Sequence, residues 1–450
     1  MPSPRFGTDG IRGLANHDLT PEVATALARG VSLSLLPRRV IIGGDTRVSG
    51  PMLEAALVAG FTASGVDVIL LGVVPTPSVA AAVAAGDAGT AGIMISASHN
   101  PWHDNGIKVF GPGGRKLSDA DEVDIEQAYL AFLERTPAEP TPEMPEGPIA
   151  VGAAISVPSP VDHLGILAQG ADADLTGLNV VLDCANGSAA PWAQQVFASF
   201  CGSVSVIGAN PDGTNINSGV GSTYPEAVAA AVLEAGADVG LAFDGDADRL
   251  IAVDHTGRVV DGDRILAILA TDRLARGKLT HNTVVVTQMS NLGFRRAMES
   301  AGITVVETAV GDRYVLQAMA EGGFVLGGEQ SGHVICADLA TTGDGMLAGL
   351  QLLSAMVRSG QPLSHLAGNA MVQYPQVLKN VPLKKNDPDI MTKLQPVIKQ
   401  AQSELGDDGR VLVRLSGTEP LLRVMVEHAE GVVAETTVNS LISAALPFTG

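Results

Sequence analysis

Short β-branched runs, most of them ending in a polar loop rich in glycine, alternate with Ala- and Leu-rich stretches along this chain. That alternation is the mark of parallel strands crossed over by helices, so it predicts an α/β fold. In the first third the runs are VIIGGDTR (40–47), VDVILLG (66–72) and AGIMISAS (91–98), with a proline-opened helix over 51–65. A second block runs from NVVLDCANGSAA (179–190) to DVGLAFDGDADR (238–249). A third starts with the hairpin-like RLIAVDHTGRVVDG, turning near Thr256 and Gly257, and reaches FVLGGEQSGH (324–333). A terminal block from Gly368 carries VLVRLSGTEPLLRVMVE (411–427), read as strand, loop and strand. Between the first two blocks, the Pro- and Glu-rich stretch 135–148 lacks apolar periodicity and reads as a linker or exposed loop.

At 450 residues, the chain is too long for one core and calls for several domains. Apolar residues at 46% against 17% charged exclude a disordered chain. The net charge of −20 excludes a uniformly basic surface, and with it nucleic acid as partner. Anions must instead be bound where a few Arg or Lys residues or helix N-termini reverse the local potential. Cys184, Cys201 and Cys336 are too few and too scattered for a disulfide framework or a CxxC metal site. They read as buried thiols in a reducing, cytoplasmic compartment. Pro2, Pro4 and Arg5 lead directly into FGTDGIRG, so no secretory signal is expected. The uncharged stretch 68–86 is long enough to span a bilayer, but Gly72, Pro75, Thr76 and Pro77 split it into strand, turn and helix start. A buried α/β segment is the reading, with no membrane partner.

Four polar loops follow apolar strands, where open α/β sheets place ligands. In SASHNPWHDNGIKVF (96–110), Ser98 stands at a strand end before His99, and Asn105-Gly106 can turn the chain so that Lys108 comes back toward it. The serine is either a nucleophile in need of activation or a turn-capping hydroxyl. In DGDADR, Asp244, Asp246 and Asp248 alternate, which on an extended segment puts three carboxylates on one side. Their repulsion calls for a cation, and oxygen-only ligands favour Mg²⁺. An EF-hand is excluded because Arg249 and His255 occupy its Gly and Glu positions. GGEQSGH (327–333) supplies Glu329, Gln330, Ser331 and His333, a hydrogen-bonding set for a polyhydroxylated ligand. RLSGTEPLLR (414–423) surrounds a Ser416-Gly417-Thr418 nest with Arg414 and Arg423, an anion site in an acidic chain. Arg12 in FGTDGIRG and Arg313 in VGDRYV lie in further tight loops, as ligands or as structural ion-pair partners.

FGTDGIRG, GGDTRVSG, ISASHNPWHDNGIK, DGDADR, VGDRYV, GGEQSGH and RLSGTEPLLRVMVE occur in this order from Phe6 to Glu427. The set resembles the bacterial phosphoglucosamine mutases of the α-D-phosphohexomutase superfamily. The resemblance implies three similar α/β domains with mixed or parallel sheets and a smaller C-terminal α+β domain around a central cleft. Their expected extents are 1–150 with the phosphoserine, 151–252 with the metal loop, 253–367 for sugar recognition and 368–450 for phosphate binding. It implies that Ser98 is the phosphoserine, and that Asp244, Asp246, Asp248 and the Ser98 phosphate hold one Mg²⁺ per chain. Lys108 and His99 would lie close to proton transfer, and Arg12 and Arg249 near the phosphoserine. Glu329 and Ser331 would meet sugar hydroxyls, with His333 and Arg313 also binding substrate. Arg414, Ser416, Gly417, Thr418 and Arg423 would hold the substrate's phosphate. The implied reaction interconverts glucosamine 6-phosphate and glucosamine 1-phosphate through a 1,6-bisphosphate, feeding amino-sugar nucleotide and cell-wall synthesis. The rivals are a phosphomannomutase or phosphoglucomutase, a Mg²⁺-dependent sugar phosphatase, and a non-catalytic sugar-phosphate binder. Monomer and dimer both remain open.

Overall fold

The computed structural model describes residues 4–7, 9–134, 151–157, 159–383, 389–415 and 421–449, so the linker stretch 135–148 and the Ser416-Gly417-Thr418 turn lie outside it. The expected α/β architecture is present as three mixed sheets and a fourth, smaller one. In the first sheet the strand Arg39–Gly44 pairs in parallel with Asp67–Val73 and with Thr90–Ile95, and Asp104–Gly111 runs antiparallel to Thr90–Ile95. Thr90–Ile95 is buried along its whole length, as a run apolar on both faces requires. Helix Pro21–Leu35 starts with Thr20 capping the Val23 N–H and with a proline in its first turn. Gly60 of helix Gly50–Thr62 lets the two helices touch: a Cβ there would sit 2.6 Å from Ala28 Cβ.

The second sheet has Ser203–Ile207, Asn179–Asp183 and Val239–Phe243 in parallel, then Leu250–Asp254 and Val259–Val260 antiparallel. The third has Thr304–Thr308, Thr283–Thr287 and Leu326–Gly328 in parallel, then Val334–Cys336 antiparallel. One connection therefore recurs three times, a short loop leading from a buried parallel strand into an antiparallel neighbour. Those loops are 96–103, 244–249 and 329–333, the three singled out by their chemistry in this part of the chain.

Three details correct the block boundaries read from sequence. The hairpin Leu250–Val260 completes the second sheet and does not open the third, because its ladder pairs with Val239–Phe243. A division at 252/253 would cut the strand Leu250–Asp254. Ala154–Ser156, beyond residue 150, pairs with Asp67–Val73 in the first sheet. Residues Met289–Gly302 form one compact unit with Gly368–Gly450, separate from Met1–Gln288 with Ile303–Ala367. In that smaller unit, Gly409–Leu415 and Gln376–Pro382 flank Leu421–His428, all antiparallel. Buried Glu427 accepts from the Leu292 N–H at 3.0 Å and from Arg410 Nε at 2.9 Å, which anchors the start of helix Leu292–Ser300.

No helix among the described residues is long and apolar enough to cross a membrane. All three cysteines are buried and unpaired. Burial pushes the Cys201 and Cys336 thiols up to about 11 and the Cys184 thiol higher still. A thiol reagent at pH 8 should therefore titrate none of them rapidly in the native protein and all three after denaturation. Fast native labelling would contradict this burial.

Candidate active site

The strand Thr90–Ile95 runs straight into Ser96, Ala97 and Ser98, all buried. Ser98 adopts φ +53°, a left-handed conformation that costs a non-glycine residue energy and persists only where its surroundings enforce it. The enforcement is visible. The Ser98 N–H donates to Ser96 Oγ at 2.9 Å, and Ser96 Oγ donates to Asp45 Oδ2 at 2.5 Å. Asp45 pairs with Arg47 Nε at 2.9 Å, both side chains fully buried. Arg47 then donates to the carbonyls of Ser98, Asn100 and Asp104 at 3.1, 2.8 and 2.9 Å, and to that of Pro101. Asn217 adds bonds to the Ser98 and Asn100 carbonyls at 3.0 and 3.1 Å.

The result aims Ser98 Oγ at Asp244, to whose Oδ2 it donates at 2.6 Å. The metal-loop glycine Gly245 lets the two loops meet, since a Cβ there would lie 2.5 Å from the Ser98 carbonyl. Asp244, Asp246 and Asp248 are buried, and their oxygens fall within 4.8 Å of one another. Thr76 Oγ1 donates to Asp246 Oδ2 at 2.6 Å. Buried Lys108 reaches Asp246 at 2.8 Å, Asp248 at 3.1 Å and Asp9 at 2.9 Å. Burial, with Asp248 and Asp246 close by, pushes the Asp244 carboxyl well above its ordinary range. Burial also opposes the Asp248 charge, but Lys108 and His333 outweigh it and hold that carboxyl well below. Lys108 itself, despite burial, is held above its usual value by Asp246, Asp248 and Asp9, so it is an ammonium here. The triad fits a hard divalent cation. Its donors are all oxygens, and Asp246 Oδ1 and Asp248 Oδ1 are buried without a hydrogen-bond partner.

The remaining expected residues divide into three groups. Arg12 lies beside the serine loop, donating to the Ala97 carbonyl at 3.4 Å and to Asp9 at 2.5 Å. His99 Nδ1 is 3.3 Å from Ser98 Oγ, and Arg249 lies 3.8 Å from Asp248. Glu329 is half-buried and accepts the Gly311 N–H at 3.3 Å, while Ser331 is exposed. His333 is buried between Asp248 at 3.6 Å and Asp312 at 3.4 Å, and Arg313 pairs with Glu122 at 2.5 Å and with Asp119. In the smaller unit, Arg414 and Arg423 stand directly opposite across paired strands. Burial and the facing Arg423 lower Arg414 from its usual value, as a like charge directly opposite does. Sequence patterns assign no site role to Asp9, Asp45, Arg47, Thr76 or Asn217. For Asp45 and Arg47 the signal was available in GGDTRVSG, a polar run at a strand end.

The chain matches the phosphoglucomutase/phosphomannomutase family over four stretches: alpha/beta/alpha domain I at 3–135, domain II at 162–257, domain III at 261–374 and the C-terminal domain at 378–442. A phosphoglucosamine mutase of Bacillus licheniformis is 51% identical over 434 residues, 94% of each chain. One from Bacillus cereus is 48% identical over 447 residues, 97% of each. Among solved structures, a phosphoglucomutase/phosphomannomutase family protein from Burkholderia thailandensis superposes with a TM-score of 0.81 at 24% identity, covering 98% of both chains. Aspergillus fumigatus N-acetylphosphoglucosamine mutase, in complex with GlcNAc-6P and magnesium, gives 0.69 at 18%, covering 100% of this chain and 96% of its own.

Two outcomes are expected. Arg47→Met strands Asp45 and four carbonyl contacts in the interior, so it should destabilise the fold by about 3–5 kcal/mol in denaturant melts. A loss under about 1 kcal/mol would mean the serine loop is held by other contacts. Burial, reinforced by Arg249 and Arg12, lowers His99 to about 4. Because the shift is downward for a base, the imidazole is neutral above that value and charges only as pH falls toward it. NMR titration should show a neutral His99 ring from pH 8 down to 5.5, and a midpoint near 6.5 would overturn this.

Proposed function

The chain belongs to the phosphoglucomutase/phosphomannomutase family, and on that premise we propose that it interconverts glucosamine 6-phosphate and glucosamine 1-phosphate. That it is a phosphosugar mutase follows from relatives about half identical over nearly their whole length. Glucosamine as the sugar rests on those relatives being phosphoglucosamine mutases. The observation that carries the mechanism is the 2.6 Å contact of Ser98 Oγ with Asp244 in a triad fit for a divalent cation.

Ser98 is phosphorylated in the working enzyme. Its Oγ–P bond breaks as a P–O bond forms to the sugar's free anomeric hydroxyl, giving the 1,6-bisphosphate and an unmodified serine. The hydroxyl proton passes by way of His99, which is neutral and 3.3 Å from Ser98 Oγ, to the departing serine oxygen. The bisphosphate then turns end for end. Ser98 Oγ takes the 6-phosphoryl group, and the proton returns to the 6-hydroxyl. Asp244, Asp246 and Asp248 would hold Mg²⁺, which would supply charge neutralisation for the transferring phosphoryl group. Lys108, Arg12 and Arg249 add fixed positive charge around Ser98. Glu329 and Ser331 bind sugar hydroxyls, and Arg414 and Arg423, with the Ser416-Gly417-Thr418 turn, hold the phosphate that is not reacting. His333 and Arg313 belong to the same substrate-binding set. The free, buried thiols suit a reducing cytoplasm.

A coupled assay with Mg²⁺ and a trace of bisphosphate should show turnover of glucosamine 6-phosphate well above that of glucose or mannose 6-phosphate. Equal rates would move the chain to the phosphoglucomutase or phosphomannomutase side. Release of inorganic phosphate without conversion would make it a phosphatase. Intact mass spectrometry should find a phosphate on the Ser98 peptide of active protein, and Ser98→Ala should abolish turnover while keeping the fold; an active Ser98→Ala would exclude the phosphoenzyme route. Arg423→Ala should raise KM in both directions by about ten- to a hundredfold, the worth of roughly 1.5–3 kcal/mol for a charge-assisted bond. An effect in one direction only would imply two phosphate sites.

A further inference from the structure

The imidazole of His163 ties together two helix starts that both grip the metal loop. Its Nδ1 lies 2.8 Å from Ser78 Oγ and its Nε2 lies 2.6 Å from Asp344 Oδ2, with all three residues 1% exposed. A carboxylate only accepts, so Nε2 carries the proton. The order Ser–His–Asp is that of a hydrolase triad. Burial keeps the Ser78 hydroxyl from substrate, so the chain's role is mechanical.

Ser78 sits in the first turn of helix Thr76–Ala85, whose first residue, Thr76, bonds Asp246 twice: N–H to the carbonyl at 2.9 Å and Oγ1 to the carboxylate at 2.6 Å. Asp344 caps helix Gly345–Ser359 by accepting the Leu347 N–H at 3.0 Å, and the Gly345 N–H donates to the Ala247 carbonyl at 3.0 Å. The two helices thus hold successive residues of the loop, and His163, on helix Val161–Gly170, links them. The loop needs holding. Ala247 is at φ +57°, unfavourable for a residue with a side chain, and the carboxylates of Asp244, Asp246 and Asp248 repel one another. The three members fall in the stretches matching family domains I, II and III.

We propose that Ser78, His163 and Asp344 are positioning residues that preset the Asp244–Asp248 loop for its cation by locking the helix starts at Thr76 and Gly345. This rests on the reading that the triad binds a divalent cation. Mn²⁺ titration of the full-length protein by electron paramagnetic resonance tests it, with thermal melts and steady-state kinetics alongside. His163→Asn keeps reach to Ser78 but loses Asp344; it should weaken Mn²⁺ binding about tenfold and lower kcat, with KM for glucosamine 6-phosphate within about twofold. His163→Gln, which can still reach Asp344, should recover most of that loss. Ser78→Ala cuts the other link and should weaken Mn²⁺ binding at least about threefold. A lowered Tm with Mn²⁺ affinity unchanged in both His163→Asn and Ser78→Ala would overturn the proposal and leave the chain as core packing. If His163→Asn does not fold, Ser78→Ala decides alone. Asp246→Asn separates the two readings, since a wild type that binds Mn²⁺ no better than this variant would refute the metal site itself.

Discussion

Three carboxylates share one buried ammonium. Asp9, Asp246 and Asp248 lie 2.8–3.1 Å from Lys108 Nζ, itself 3% exposed, with Asp244 in the same cluster. Removing such charges from water is expensive unless they are mutually compensated, so the surrounding loops must bring opposite charges to fixed places. Lys108 projects from Asp104–Gly111, the antiparallel neighbour of the strand Thr90–Ile95 that leads into Ser98. The same pairing that builds the sheet therefore sets the cation beside the serine and against the aspartates of another domain.

A repeated connection makes this convergence possible. In each of three sheets a buried parallel strand turns through a short loop into an antiparallel neighbour, and the loop carries the chemistry: Ser98, then Asp244, Asp246 and Asp248, then Glu329 and His333. Short loops between paired strands have little freedom, so their side chains are placed by the ladder on both sides. The strained φ of Ser98 and Ala247 is tolerated because Arg47, Asn217, Thr76 and Gly345 bond the neighbouring backbone.

Much of this was legible in the chain itself. The alternation of β-branched runs with Ala-rich stretches established the α/β class, and alternating aspartates after VGLAF pointed to an oxygen-donor cation site, because both patterns are local and periodic. Ser98 stood out because a polar cluster interrupts a buried strand end. The block boundaries were less legible. A hairpin at 250–260 reads the same whether it closes one sheet or opens the next, and only the ladder with Val239–Phe243 decides. Likewise nothing in the run around Leu292–Ser300 tells that Glu427 will anchor it.

Sequence alone therefore determined the class of fold and picked out three polar loops at strand ends, one of which carries oxygen donors suited to a hard cation. Tertiary structure decided which residues support them. Arg47 reaches carbonyls more than 50 positions away, Thr76 meets Asp246 across 170, and His163 meets Asp344 across 181. Strand and helix patterns are written in neighbouring residues, but these bonds exist only once separate sheets have packed. Whether a buried histidine joins two helices or merely fills space depends on that packing.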